Sequence, residues 1–225
     1  MALLSKYALK GKEYIMTLQN TDKGLITKDN CAIAFIDYQP QMVFGVGSIQ
    51  RELLINNVLM LAKGAKLFNI PTILTTVESK SFSGYMWKKL LDIFPGNIPI
   101  ERTGMNSWDF EEFRNAIIAT GKKNILIGGL WTEVCVCWPT LSMLDEGYNI
   151  FVVEDACGGV SKMIHKAAMK RMIQAGAVPV TSMQMLLEFQ RDWAHKQTYD
   201  ETCSIIQEHG GAYGMGIEYA YSMLR

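Results

Sequence analysis

The sequence predicts a three-layer α/β/α domain built on a doubly wound, mainly parallel sheet. Three observations lead there. Short continuous apolar runs, Cys31–Ile36 and Asn149–Val153 among them, have the composition of strands buried on both faces. Stretches with apolar residues at steps of three and four separate these runs, as amphipathic helices would. Several runs empty into a polar residue and then a turn, the pattern of strand-to-helix connections in βαβ units.

Residues 1 to about 30 read as a mixed polar arm without clear periodicity. Cys31–Ile36 follows as the first strand, ending on Asp37, Tyr38, Gln39 and Pro40. Between about 49 and 69, Leu54, Val58, Leu61, Ala65 and Phe68 stripe a helix, closed by Asn69 and Pro71. Thr72–Thr75 makes the second strand. The segment 78–99 is irregular and aromatic, suited to a lid. Ile98–Ile100 is expected as a short strand that delivers Glu101 and Arg102 to a loop. Phe110, Phe113 and Ile117 mark a helix that stops at Gly121. Ile125–Gly129 is a central buried strand, and Asn149–Val153 another, ending in Glu154, Asp155 and a Gly158-Gly159 turn. Val160, Ile164, Ala168, Met172 and Ala175 stripe the next helix, before a last strand at Val178–Thr181. No internal repeat or low-complexity linker interrupts the chain. The expectation is one domain over 1–225, with a helical tail over 191–225 whose Tyr-rich end could pack on a neighbouring subunit.

Composition narrows the function. Hydrophobic residues are 49% and charged residues 20% of 225, an ordinary globular balance. Lys plus Arg and Asp plus Glu are both 22, so no net field favours nucleic acid or an anionic membrane. No apolar run reaches transmembrane length. Five scattered cysteines argue against a disulfide framework and for a reducing compartment, hence a cytoplasmic protein.

The chain is organised around Ile125–Cys137, a strand, a glycine-softened turn and a helix start close to Cys135. A cysteine near a helix N-terminus feels unpaired N–H groups and the positive dipole end, which lower its pKa towards thiolate. Asp37, Arg102 and Cys135 all fall at strand ends, and in a doubly wound sheet those ends share one edge. A carboxylate there can take a thiol proton while a cation steadies the thiolate. Taken singly, each has an ordinary reading: a loop cap, a surface ion-pair partner, a small buried hydrophobe. Pro139 lacks the N–H that would bond the Cys135 carbonyl, which is expected to loosen the helix start around the thiol. Cys137 falls on the stripe Val134, Cys137, Leu141, Leu144 and reads as core, not as half of a metal pair.

The surrounding pattern resembles the isochorismatase-like cysteine hydrolases. The matching residues are Phe35-Ile36-Asp37-Tyr38-Gln39, Gly129-Leu-Trp-Thr-Glu-Val-Cys135-Val136, Val152-Val153-Glu154-Asp155-Ala156 and Gln174-Ala175-Gly176-Ala177. Thr132-Glu-Val-Cys135 and Asn106-Ser-Trp108-Asp109 give the likeness a YcaC-type character. The resemblance spans roughly residues 31 to 190 and implies the isochorismatase-like hydrolase fold, which is Rossmann-like. It implies Asp37 as general base, Cys135 as nucleophile, and a cis peptide between Trp131 and Thr132. The amides of Thr132 and Cys135 would then hold the oxyanion, and Gln39 and Asn106 would contact substrate. Most of the family carries Lys where Arg102 stands, and Arg orients a carboxylate but does not shuttle a proton.

No metal is expected, because Tyr38 to Lys80 contains no His, and no G-x-G-x-x-G supports a nucleotide cofactor. His165 reads as a structural hydrogen-bonder. The sequence therefore points to a cysteine hydrolase of a small amide-like C–N bond. Two other readings stay open: an oligomeric YcaC-like binding or scaffold protein with lost catalysis, and isochorismate-type vinyl ether hydrolysis without a nucleophilic cysteine. The expected partners are a small-molecule substrate and copies of itself, an octamer being one candidate size, with no nucleic acid and no membrane.

Overall fold

The computed structural model describes residues 24–224, so the arm expected over residues 1–30 lies largely outside them. The first half of the chain forms β1 (Cys31–Ile36), α1 (Pro40–Phe44), α2 (Arg51–Leu67), β2 (Thr72–Val77), α3 (Lys88–Leu91), β3 (Ile100–Arg102) and α4 (Glu111–Ala119). The second forms β4 (Asn124–Gly129), α5 (Cys137–Asp145), β5 (Asn149–Val153), α6 (Lys162–Gln174), β6 (Val178–Val180), α7 (Ser182–Gln190), α8 (Lys196–His209) and α9 (Gly211–Met223). The six strands pair in the order β3-β2-β1-β4-β5-β6, and every pairing is parallel.

Burial explains why the apolar runs became strands. All six residues of β1 and all six of β4 are buried, so each central strand is dry on both faces. Each fully buried Ile or Phe there contributes about 1.5–3 kcal/mol. Helix α2 packs with α7 and α8, while α5 packs with α6, which places helices on both sides of the sheet. The C-terminal segment forms α8 and α9, and α8 is tied to α2: Asn56 Nδ2 donates to the His209 carbonyl (2.7 Å) and Lys63 pairs with Glu208 (2.5 Å). No helix among the described residues is long and apolar enough to cross a membrane.

One strand sits later than the sequence suggests. Pairing of β3 with β2 begins at Thr75–Ile100 and runs to Val77–Arg102, so Glu101 and Arg102 belong to the strand and not to a loop after it. Pro99 has no N–H for a ladder and Ile98 is 84% exposed, so neither joins the sheet. The segment 78–99 is also pinned more firmly than a mobile lid. The Trp87 amide donates to the Tyr38 carbonyl (3.0 Å), the Gln41 amide to that of Ser83 (3.3 Å), and the Trp87 and Tyr38 rings lie 5.4 Å apart.

The strand order reverses between β1 and β4, and loops leaving neighbouring strands there diverge to opposite faces, which opens a crevice at their carboxyl ends. The two strands come unusually close. A Cβ on Gly129 would lie 2.5 Å from the Ile36 Cβ, so only glycine fits at that crossing.

Candidate active site

Asp37 leaves β1 at this crevice. Its φ of 55° is left-handed, a conformation uncommon outside glycine but tolerated by Asp, and it aims the carboxylate back over the sheet edge. Its amide donates to the Thr75 carbonyl (3.1 Å) and Thr75 Oγ1 donates to Asp37 Oδ1 (3.1 Å). Arg102 ends β3, two strand spacings or about 10 Å away. Its long side chain crosses the end of β2, where Nη2 donates to Asp37 Oδ2 and Nη1 to the Gly104 carbonyl. Arg102 Nε is buried and has no hydrogen-bond partner among the described residues.

Cys135 arrives from the turn after β4. The structure thus brings together the three candidates the sequence singled out, and it seals them: Asp37 is 0%, Arg102 2% and Cys135 3% exposed. The Cys135 thiol interacts with both the Asp37 carboxylate and the Arg102 guanidinium.

Electrostatics in this dry pocket runs against the expected thiolate. Burial, reinforced by the Asp37 charge and opposed by Arg102, pushes the Cys135 thiol up to about 12. Burial also raises Asp37 to about 6, against the lowering effects of Arg102 and of hydrogen bonds from Cys135 and Thr75. Helix-dipole stabilisation loses because α5 begins only at Cys137 and the thiol is out of water. At neutral pH the resting pair is therefore a thiol beside a carboxylate.

The turn that carries Cys135 is a π-helical turn, Thr132–Val136, in which the Val136 amide reaches the Trp131 carbonyl (3.3 Å). This agrees with the missing donor of Pro139, which leaves the Cys135 carbonyl without its usual helical partner just where the π turn runs into α5.

Several expected site roles need correction. The cis peptide is Leu130–Trp131, one residue earlier than expected. Pairing with β1 continues past the end of β4, since the Leu130 amide donates to the Ile36 carbonyl (3.0 Å), so the chain leaves the sheet only after Leu130. Trp131 then anchors to α1 through Nε1, which donates to the Met42 carbonyl (2.7 Å). The Thr132 amide is not free for an oxyanion, because it donates to the Gly158 carbonyl (3.0 Å). Gln39, fully buried, spends its amide on the protein: Nε2 donates to the carbonyls of Val77 (2.9 Å) and Gly84 (2.5 Å), and Oε1 accepts from the Val77 amide (2.9 Å). Asn106 caps the 3₁₀ turn Ser107–Asp109 and donates to Ser142 Oγ (3.2 Å), a structural use as well. Cys137 is core, at 1% exposure.

Sequence reasoning missed Thr75, whose hydroxyl shares the Asp37 carboxylate. The only local signal was a polar residue inside an apolar strand. It also gave no partner for His165, whose Nδ1 lies 2.8 Å from Thr132 Oγ1.

With this geometry in place, comparison with known proteins is decisive. The isochorismatase-domain family profile matches residues 31–184, well over half of the chain. The chain belongs to the isochorismatase family of hydrolases. Within that family it is 40% identical to the probable hydrolase YcaC of Escherichia coli K12 over 169 residues, 75% of this chain and 81% of that protein. A YcaC structure from Pseudomonas aeruginosa, with hexane-2,5-diol and covalent acrylamide, superposes with TM-score 0.83 at 38% identity, over 87% of this chain and 96% of that one. The E. coli YcaC structure, described as an octameric hydrolase of unknown specificity, gives TM-score 0.84 at 36% identity, over 89% and 98%. The isochorismatase-like fold and its YcaC character are thereby established for this chain.

Proposed function

We propose that this chain is a cysteine-dependent hydrolase of a small amide-like C–N bond. The observation that carries the reading is the convergence of Asp37, Arg102 and Cys135 from three strand ends into one dry site. A carboxylate raised to about 6 is still ionised at pH 7, so it can accept a proton, while the thiol beside it keeps one to give. As the Cys135 sulfur attacks the carbonyl carbon, its proton passes to Asp37. The tetrahedral oxyanion collapses, the C–N bond breaks, and Asp37 returns that proton to the leaving nitrogen. Water, deprotonated by Asp37, then cleaves the thioester and releases the acid and the free thiol.

Arg102 keeps Asp37 charged and in place but does not shuttle a proton. The amide of Cys135 is assigned to the oxyanion, joined by that of Trp131, which has no acceptor among the described residues. Arg102 Nε offers one further donor to a substrate oxygen. The covalent acrylamide in the P. aeruginosa YcaC supports a pocket of this kind admitting a small amide. The octameric E. coli YcaC supports a homo-oligomer here, which light scattering would measure.

Ammonia release from a panel of short primary amides, with hydroxylamine trapping of a Cys135 thioester, tests the reading. Cys135→Ala should lose at least about a thousandfold in turnover. A second reading draws on the high thiol pKa: the protonated fraction of Asp37 gives its proton to a vinyl ether, water adds to the ether carbon and returns a proton to Asp37, the C–O bond breaks to release an alcohol, and Cys135 is a bystander. Turnover retained in Cys135→Ala would favour that chemistry.

A further inference from the structure

The Gly158-Gly159 turn and the start of α6 do more than link β5 to α6. They grip the nucleophile turn at three points. The Thr132 amide donates to the Gly158 carbonyl (3.0 Å), the Val160 amide donates to Glu133 Oε1 (3.1 Å), and Thr132 Oγ1 meets His165 Nδ1 (2.8 Å). The grip needs close contact. A Cβ on Gly159 would sit 2.6 Å from Glu133 Oε2 and 3.1 Å from His165 Cβ, so a side chain there would push on both the Glu133 carboxylate and α6. The same residue is held from behind, since its amide donates to Ser48 Oγ (2.9 Å) and its carbonyl accepts from Gly47 and Ser48 (3.0 and 3.1 Å).

On its far side the imidazole faces Glu154, with Nε2 3.7 Å from Oε1. A carboxylate there favours the tautomer with the proton on Nε2, which leaves Nδ1 to accept from the Thr132 hydroxyl. Thr132 is fully buried, so that hydroxyl has no water to turn to. Its position at the head of the π turn, three residues before Cys135, makes any rotation of Thr132 a displacement of the sulfur.

We propose that His165 is a positioning residue for catalysis: its contact with Thr132 fixes the turn that aims the Cys135 sulfur. The inference rests on Cys135 being the nucleophile. Burial lowers the His165 pKa, which keeps the ring neutral in its accepting form at pH 7.

Acrylamide addition at Cys135, located by peptide mass spectrometry in the full chain, tests it, with thermal unfolding run in parallel. His165→Leu and Thr132→Val should each slow addition about tenfold, the order expected when a reacting atom drifts by a fraction of an ångström. The double variant should be no slower than either single one, because both remove one contact. His165→Asn, whose amide reaches the Nδ1 position, should restore most of the rate. Nitrogen-15 spectra of the wild type should show His165 with its proton on Nε2, a readout that stands even if a variant fails to fold. A labelled wild type with unchanged rates in the variants, additive losses, or a proton on Nδ1 would overturn the inference alone. A wild-type Cys135 that never labels would overturn the nucleophile reading and this inference with it.

Discussion

The turn after β4 stands between two unlike regions. Towards β1 and β3 lies a dry pocket in which Asp37, Arg102 and Cys135 are each at most 3% exposed. Towards β5 and β6 lies a solvent-facing cavity of about 490 Å³, bordered by Ile49, Glu154, Asp155, Cys157, Lys162 and His165, with the Glu154 side chain 48% exposed. Both hold a carboxylate and a cationic or ionisable partner. The dry side sets a carboxylate raised to about 6 directly against a thiol pushed up to about 12. The wet side also borders a buried thiol pushed up to about 12, Cys157, and a carboxylate raised by burial, Asp155, but the Asp155 oxygen is taken up by the amide and hydroxyl of Ser182. Under the proposed function the proton chemistry belongs to the dry side, where carboxylate, guanidinium and thiol meet, and the wet side holds the geometry of the turn.

The sharpest way to break this contrast is to remove the dry side's cation. Arg102→Met leaves Asp37 buried and unpaired and should cost about 3–5 kcal/mol in chemical denaturation. It should also move the Asp37 titration upward. An exposed pair gives the control: Lys88→Met, which frees exposed Asp92, should cost no more than about 1 kcal/mol.

Gln39 comes next. Gln39→Ala strands the Val77 amide without an acceptor and should destabilise by about 1–3 kcal/mol, with substrate KM unchanged. A raised KM at full stability would return Gln39 to the substrate site.

Much of this was legible in local sequence. Continuous apolar runs gave β1, β4 and β5; a polar residue at the first run's end marked Asp37, and the Gly128-Gly129 turn followed by Cys135 marked the loop after β4. What remained hidden depends on packing across distance. Gln39 looked available because its partners, Val77 and Gly84, lie about forty residues away. The Cys135 pKa was misjudged because a helix start is visible in sequence and burial is not. The cis bond falls at Leu130–Trp131, just past the point where Leu130 still pairs with Ile36, a partner nearly a hundred positions away. The tie from Thr132 to His165 spans 33 positions and has no signature at all.

Asp37 also sets a pH dependence of stability. Its folded pKa, about 6, lies above its unfolded value, so the folded state holds the proton more tightly. Its contribution is fully present below about pH 4 and is lost as pH rises through about 6, with a slope of at most about 1.4 kcal/mol per pH unit. Denaturation midpoints of wild type and Asp37→Asn from pH 4 to 7 should diverge accordingly. The smallest effect is expected at Asn106, where Asn106→Ala removes a cap worth about 1 kcal/mol without a change in turnover.

The central claim is that Cys135 is activated by Asp37 at the moment of reaction and is not a standing thiolate. The most direct test is the rate of iodoacetamide labelling at Cys135 from pH 4 to 10, in wild type and Asp37→Asn. The wild-type rate should rise with a midpoint near pH 6, set by Asp37, and then level off. In Asp37→Asn that rise should vanish and labelling should begin only at strongly alkaline pH. Identical profiles in the two proteins would mean that the carboxylate beside the thiol takes no proton from it, and Asp37 would not be the base.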